Sequence, residues 1–292
     1  MLKLPSANSR NIMLVIIFVA CLASGGIFVR MSELGPINTG LWRIIFSIPI
    51  LLPFIFAEQN KIEHRKLEKK DIVVLLVAGG FLAGDLSVWN ISFHYTTIAN
   101  ANLLANFVPL IIIPISYFVF KEPIAKKFFI GFVIVLVGVI LLVYGKQAIT
   151  SLNLYGDSLA FLTSIFYAIF LLLVYRLRHK ATAVQIMFVS AFGSTTILFI
   201  IALLTEGIQV PSSWPALLPI LGLTVFSQLL GQGGLSYTLG RISASYASVL
   251  VLTQPVISAL YAFLLFREKL SSLEVVAMLI VLCGIYILKK GD

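Results

Sequence analysis

The chain has 292 residues, of which 60% are hydrophobic and only 11% are charged, and its mean hydropathy is +1.04. A soluble domain is about half apolar and about a quarter charged, so this composition excludes a soluble enzyme or a nucleic-acid-binding domain and predicts an integral membrane protein. Because a spanning helix takes about 20 apolar residues, about ten helices consume most of the chain.

Apolar runs, separated by charges, Gly, Pro and polar clusters, predict ten transmembrane helices and an all-α membrane protein. The longest polar segment, Glu58 to Asp71, contains five basic and four acidic residues and is predicted to be a solvated loop. The predicted helices, in chain order, cover residues 12–31, 37–57, 72–93, 97–120, 127–145, 155–176, 183–204, 214–238, 242–265 and 271–288.

The net charge of +9 indicates an orientation in the membrane. If the N-terminus is cytoplasmic, sixteen of the 21 Lys and Arg residues lie in cytoplasmic segments and four lie outside, with Arg43 inside a helix. Short cytoplasmic loops carry an excess of Lys and Arg. We therefore expect a multi-pass membrane protein with both termini in the cytoplasm.

The chain contains an internal repeat, because residues 97–145 align with residues 243–291 at an offset of 146. Each half then contains five helices, the first over residues 12–146 and the second over 155–290. An odd number of crossings inverts the second half, and inverted repeats are common in secondary transporters. The matching glutamates at the ends of the fourth and ninth helices favour a shared structural role at a turn. The matched pairs are Pro109 with Pro255, Glu122 with Glu268, and Gly138 with Gly284.

A set of short motifs is distributed over both halves. It comprises Ser24-Gly25-Gly26 with Arg30, Gly35-Pro36, Leu41-Trp42-Arg43, the run from Gly84-Asp85-Leu86 to Asn106, and the segments Pro109 to Glu122 and Pro255 to Glu268. This set resembles the drug/metabolite transporter superfamily, specifically proteins made of two EamA repeats, over essentially the whole chain. The resemblance implies ten helices in two inverted five-helix EamA repeats and alternating access to a central substrate site. Because the run from Gly84 to Asn106 looks like one bacterial subgroup of that family, the resemblance also implies a bacterial inner (plasma) membrane.

Among the charged residues of the predicted helices, two stand out, because a charge near the centre of a spanning helix costs about 2.5–3.5 kcal/mol on insertion scales. Arg43 lies in the second helix and Asp85 in the third, at comparable depth. Two compatible interpretations follow. The two side chains form an ion pair that fixes the helices, or Asp85 contacts substrate or carries a proton.

Polar and aromatic residues near Asp85 extend this candidate site. Trp89 is four residues later and shares a helix face with Asp85, which suits an organic cation, although Trp also populates the membrane interface. Asn102 and Asn106 share a face of the fourth helix just before Pro109. Such amides serve either as substrate contacts or as hydrogen bonds between helices.

The second half offers amides at comparable positions. Gln228 and Gln232 are four residues apart in the eighth helix, and Gln254 precedes Pro255 in the ninth. The neighbouring glycines of the eighth helix permit bending or close approach, or serve only to tighten packing. The predicted substrate site therefore comprises Arg43, Asp85, Trp89, Asn102, Asn106, Gln228, Gln232 and Gln254.

This polar lining suits a small amphipathic metabolite, and amino acids or their derivatives, often exported, are common substrates among the relatives that the chain resembles. The alternatives are uptake of an organic cation or a nucleoside-like metabolite such as S-adenosylmethionine, and, in another class, a passive channel or a non-transporting membrane subunit. We expect no enzymatic activity, no cofactor, no metal and no nucleic-acid partner. The expected partners are the substrate, the lipid bilayer and, if transport is coupled, protons; the sequence leaves the oligomeric state open.

Overall fold

A computed structural model describes residues 9–59, 67–92, 95–96, 104–122, 124–146, 154–267 and 270–289. The first three helices are α1, in two parts (Ser9–Ala23 and Gly25–Met31), α2 (Pro36–Gln59) and α3 (Lys69–Ser92). They are followed by α4 (Val108–Phe118), α5 (Lys126–Lys146), α6 (Leu154–Leu177) and α7 (Ala183–Thr205). Helix α8 has three parts (Trp214–Gly222, Leu223–Gln232 and Gly233–Thr238), α9 has two (Ala244–Val251 and Gln254–Phe266), and α10 is Ser272–Lys289.

The all-α prediction with ten crossings is confirmed. Within the described ranges, nine helices are long and apolar enough to cross a membrane, and Val108–Phe118 is a shorter apolar helix in the position of the fourth crossing. The residues just before 104 in that crossing, among them Asn102, lie outside the described part of the chain. Lipid-facing positions are rich in exposed Leu, Ile, Val and Phe, as the bilayer requires.

Helices α5 and α10 pack against each other along most of their length, and the contact has the symmetry of the repeat. A Cβ atom added to Gly138 would lie 2.9 Å from the backbone nitrogen of Val281, and one added to Gly284 would lie 2.8 Å from that of Val135. Both the glycines and the valines are 146 residues apart. Small residues allow helix backbones to approach this closely in membranes.

The turns after the fourth and ninth crossings also match. Lys121 and Arg267 both have positive φ, 53° and 55°, which is uncommon for a residue other than glycine. Glu122 is 3% exposed and accepts hydrogen bonds from the backbone nitrogen of Ala244 (3.3 Å) and from Ser245 Oγ (2.8 Å). Glu122 thus caps the start of α9, in keeping with the expected structural role, while Glu268 lies outside the described residues.

Most helix contacts join one repeat to the other. Helix α3 packs on α6 and α7, α2 packs on α7, and α1 packs on α8 and α9. The fourth crossing, α4, packs on α6 and on the first part of α9. The repeats therefore interlock, and the centre of the bundle is lined by both.

The glycine contacts of α5 and α10 predict a stability difference. Gly284→Ala forces the helices apart, and overpacking of this kind costs about 1–3 kcal/mol, so the midpoint of thermal unfolding in detergent should fall. Gly80→Ala is the matched control, because its added Cβ would be 3.7 Å from the nearest atom, Ile197 Cγ1. A Gly284→Ala protein as stable as the control would contradict this packing.

Candidate functional site

A cavity of about 190 Å³ lies at the centre of the bundle, where helices from both repeats meet. Helices α1, α2 and α3 and the fourth crossing line it from the first repeat, and α6, α8 and α9 from the second. Its lining includes Leu22, Leu82, Val108 and Leu252 as well as polar side chains. The cavity is therefore amphipathic.

Six of the eight predicted site residues line this cavity. They are Arg43, Asp85, Trp89, Asn106, Gln232 and Gln254. Asn102 is outside the described residues, and Gln228 is 1% exposed and is not part of the lining. Their role in binding stays a prediction, but the structure brings the six together from the five crossings that were predicted to carry them.

Arg43 and Asp85 face the same cavity without forming a direct ion pair. The two side chains are close enough to interact electrostatically. However, no hydrogen bond or ion pair joins either side chain to a described residue. The Nε atom of Arg43 is buried and has no hydrogen-bond partner among the described residues. An unpaired charge in a low-dielectric interior is costly, so both groups are available to a ligand.

A wide helical turn places the glutamines of α8. Its central part, Leu223–Gln232, is a π-helix, whose hydrogen bonds run from residue i to i+5, a geometry frequent at functional sites. Of the two predicted glutamines of this helix, Gln232 lines the cavity and Gln228 does not. Gln232 reaches the cavity, and its Oε1 accepts a hydrogen bond from Tyr167 Oη at 3.1 Å.

Three crossings are interrupted beside the cavity. The first breaks at Ser24, whose Oγ donates to the carbonyl oxygen of Cys21 at 2.6 Å. The fourth is interrupted at residues 106–107 and the ninth at 252–253. The last two breaks are 146 residues apart, so they occupy equivalent positions in the repeats. Discontinuous helices expose backbone dipoles at the substrate sites of many transporters.

Two glutamates join α2 to α7 at opposite ends of the pair. Glu206 accepts hydrogen bonds from the backbone nitrogens of Ile37 and Asn38, both at 3.1 Å, and from Asn38 Nδ2 at 2.9 Å. At the other end, Glu58 accepts a hydrogen bond from Thr182 Oγ1 at 2.6 Å. Each carboxylate thus meets the N-terminal end of the other helix, which favours negative charge.

Three of these structural residues escaped the sequence analysis. Tyr167 was one of many aromatic residues in an apolar helix, and no local signal distinguishes it. Glu206 and Gln209 lie in a short loop, where Gln209 accepts a hydrogen bond from Gly35 N at 2.7 Å and another from Trp42 Nε1 at 2.6 Å. The signal available in the sequence was the pair of motifs Gly35-Pro36 and Leu41-Trp42-Arg43, because Gly35 and Trp42 are the residues that donate hydrogen bonds to this loop.

The Glu206 contacts predict a loss of stability on truncation. Glu206→Ala leaves the first backbone N–H groups of α2 without their acceptor, and loss of a helix cap costs about 0.5–2 kcal/mol. The thermal unfolding midpoint should fall, whereas Glu33→Ala should leave it unchanged because Glu33 is exposed on the adjacent segment. Equal midpoints for the two variants would contradict the capping role.

Comparisons with known proteins agree with this architecture. The chain is 28% identical over 265 residues to the uncharacterized transporter YetK of Bacillus subtilis, covering 86% of this chain and 77% of that protein. It is also 28% identical over 279 residues to an uncharacterized transporter of Methanothermobacter thermautotrophicus, covering 89% and 80%. One crystal structure superimposes with a TM-score of 0.80 at 15% identity, over 97% of this chain and 98% of the other, which shows the same fold.

The family comparison covers both halves of the chain. The model of the EamA-like transporter family matches residues 9–144 and again residues 154–289. The two matches coincide with the five-helix halves seen in the structure, and they support the drug/metabolite transporter resemblance. The chain is a multi-pass membrane protein that belongs to the EamA-like transporter family.

Proposed function

We propose that the protein is a secondary transporter that carries a small zwitterionic metabolite, an amino acid or a close derivative, by alternating access. The observation that carries the proposal is the pair of opposite charges, Arg43 and Asp85, in one cavity with no direct ion pair between them. Arg binds carboxylates through two parallel hydrogen bonds, and Asp85 supplies the complementary charge for an ammonium group. A zwitterion satisfies both.

The size of the cavity favours a small substrate. Pockets for drug-sized ligands occupy about 300–1,000 Å³, whereas this cavity has about 190 Å³ in the conformation described. That volume suits an amino acid better than a nucleoside-like molecule. An organic cation remains the second candidate, because Trp89 and Asp85 line the same cavity and an aromatic face attracts positive charge.

The charge distribution of the loops supports an inner-membrane protein with both termini in the cytoplasm, and export is the direction we propose. Alternating access rests on the interlocked inverted repeats around a central cavity. Transport of this kind needs no catalytic group. A passive channel is the competing class, and it differs from a carrier in showing no counterflow.

Counterflow in proteoliposomes tests the proposal. The purified protein is first screened by thermal shift against the twenty common L-amino acids, because a ligand that binds the folded state raises the unfolding midpoint. Vesicles loaded with the unlabelled hit should then accumulate labelled hit transiently. A response to none of the amino acids, or label that only equilibrates without counterflow, would overturn the proposed function.

Charge removal at the two residues tests the zwitterion site. Asp85→Asn and Arg43→Gln should each weaken amino-acid binding at least about tenfold, since hydrogen bonds to charged groups contribute about 1.5–3 kcal/mol. The matched controls are Glu33→Gln and Arg176→Gln, whose side chains are exposed outside the cavity. All four variants are compared by thermal shift and counterflow.

One outcome separates substrate contact from proton carriage. If Asp85→Asn abolishes uptake driven by a pH gradient but retains full counterflow of the amino acid, Asp85 carries a proton and does not bind the substrate. Loss of counterflow as well is the result expected of direct contact.

A further inference from the structure

Two backbone carbonyl groups beside the cavity lack a hydrogen-bond donor. They belong to Ala105 and Val251, each of which lies four residues before a proline, Pro109 or Pro255. Proline has no N–H group to donate to the carbonyl four residues earlier. Among the described residues, no hydrogen bond of a turn, loop or helix end reaches either carbonyl, and the N–H groups of residues 107, 110, 252 and 253 bond to other carbonyls.

The positions of these two carbonyls are equivalent in the inverted repeats, since Ala105 and Val251 are 146 residues apart. Unsatisfied backbone groups cost several kcal/mol in a membrane interior unless they line a cavity or meet a ligand. Both repeats nevertheless keep the proline and place the freed carbonyl residue at the same cavity. This coincidence favours a role at the site over a local defect of one helix.

The electrostatics of both carbonyls suit a cation. Val251 ends a helical segment, and the backbone dipole is negative at the C-terminal end of a helix. Ala244–Val251 is such a segment, and it ends at the cavity. The carboxylate of Asp85 lines the same cavity and has no described partner. Among the acceptors of the lining, the Asp85 carboxylate is charged, and the carbonyl groups of Ala105 and Val251 are uncharged and belong to the backbone.

We propose that the cavity selects a primary ammonium group by its three N–H donors, which bond to the Asp85 carboxylate and to the carbonyl oxygens of Ala105 and Val251. The inference rests on the proposed function and deepens it, because it states which cations the site accepts. Primary amines are preferred over their N-methylated forms, and quaternary ammonium groups are rejected because they carry no N–H. If the Trp89 ring alone recognised the cation, quaternary ammonium groups would be accepted, because an aromatic face binds a trimethylammonium group readily.

A methylation series tests the selectivity. Thermal-shift titrations compare glycine, sarcosine, N,N-dimethylglycine and glycine betaine, and in parallel L-leucine with its N-methyl and N,N,N-trimethyl derivatives. We expect affinity to fall by about tenfold for each lost hydrogen bond to a charged group and binding of the trimethylated forms to be undetectable. A trimethylated compound that binds within about threefold of its parent amine would overturn the proposal.

A second series omits the carboxylate and separates this proposal from the proposed function. It compares n-butylamine with n-butyltrimethylammonium. If butylamine binds selectively while no amino acid is transported, the ammonium site stands and amino-acid transport fails. If amino acids show counterflow but butylamine and butyltrimethylammonium compete with them equally, transport stands and the ammonium site fails.

Proline replacement tests the carbonyls directly. Pro109→Ala and Pro255→Ala restore N–H groups that can pair with the carbonyls of Ala105 and Val251, and alanine favours the helix, so both variants should fold. Each should bind the parent amine several-fold more weakly and discriminate less against the methylated forms. The matched control is Pro114→Ala, in the same helix as Pro109 but exposed away from the cavity. Unchanged affinity and selectivity in both cavity variants would overturn the role of the carbonyls.

Discussion

A bilayer offers no hydrogen-bond partner to a polypeptide backbone, and this constraint determines where the protein can bind a solute. Continuous helices satisfy it by pairing their own N–H and C=O groups. The departures from continuous α-helix in the first, fourth, eighth and ninth crossings all lie beside the same cavity. The cavity is therefore the region where the helices depart from continuous α-helical pairing, and the recognition that we propose uses backbone carbonyl groups at two of these departures.

The inverted repeat explains why these departures converge. The breaks in the fourth and ninth crossings are 146 residues apart, and the inverted repeat brings them to the centre from opposite faces of the membrane. The α5–α10 contact has the same symmetry, because Gly138 packs on α10 and Gly284 packs on α5. Contacts between helices cross from one repeat to the other nearly everywhere. Any movement that opens the cavity must consequently rearrange contacts between the repeats, and the Glu58 and Glu206 contacts that join α2 to α7 are among them.

The sequence was sufficient to predict the helices, the repeat and most of the polar lining, because all three follow from hydropathy and from the rarity of charges in a membrane. It was insufficient where geometry depends on tertiary contacts. The spacing of Gln228 and Gln232 suggested that both amides line the site, but of the two only Gln232 lines the cavity. Helix α8 is a π-helix over Leu223–Gln232 and packs tightly on Phe28, Leu22 and Phe18 of α1 through Gly222, Gly231 and Gly234, and the sequence signals neither feature. Likewise, the comparable depths of Arg43 and Asp85 suggested an ion pair, whereas the structure leaves the two charges unpaired across the cavity.

Access to the cavity from each side of the membrane tests the central claim most directly. In a protein lacking the native thiols through Cys21→Ser and Cys283→Ser, Ser248→Cys places one thiol in the cavity lining. A membrane-impermeant maleimide is applied to right-side-out and to inside-out vesicles, with and without a gradient of the amino acid identified by thermal shift. Alternating access predicts that the thiol is labelled from both sides. It also predicts that a condition that accelerates labelling from one side slows labelling from the other. Labelling from one side only, or acceleration from both sides together, would contradict a carrier with a central site.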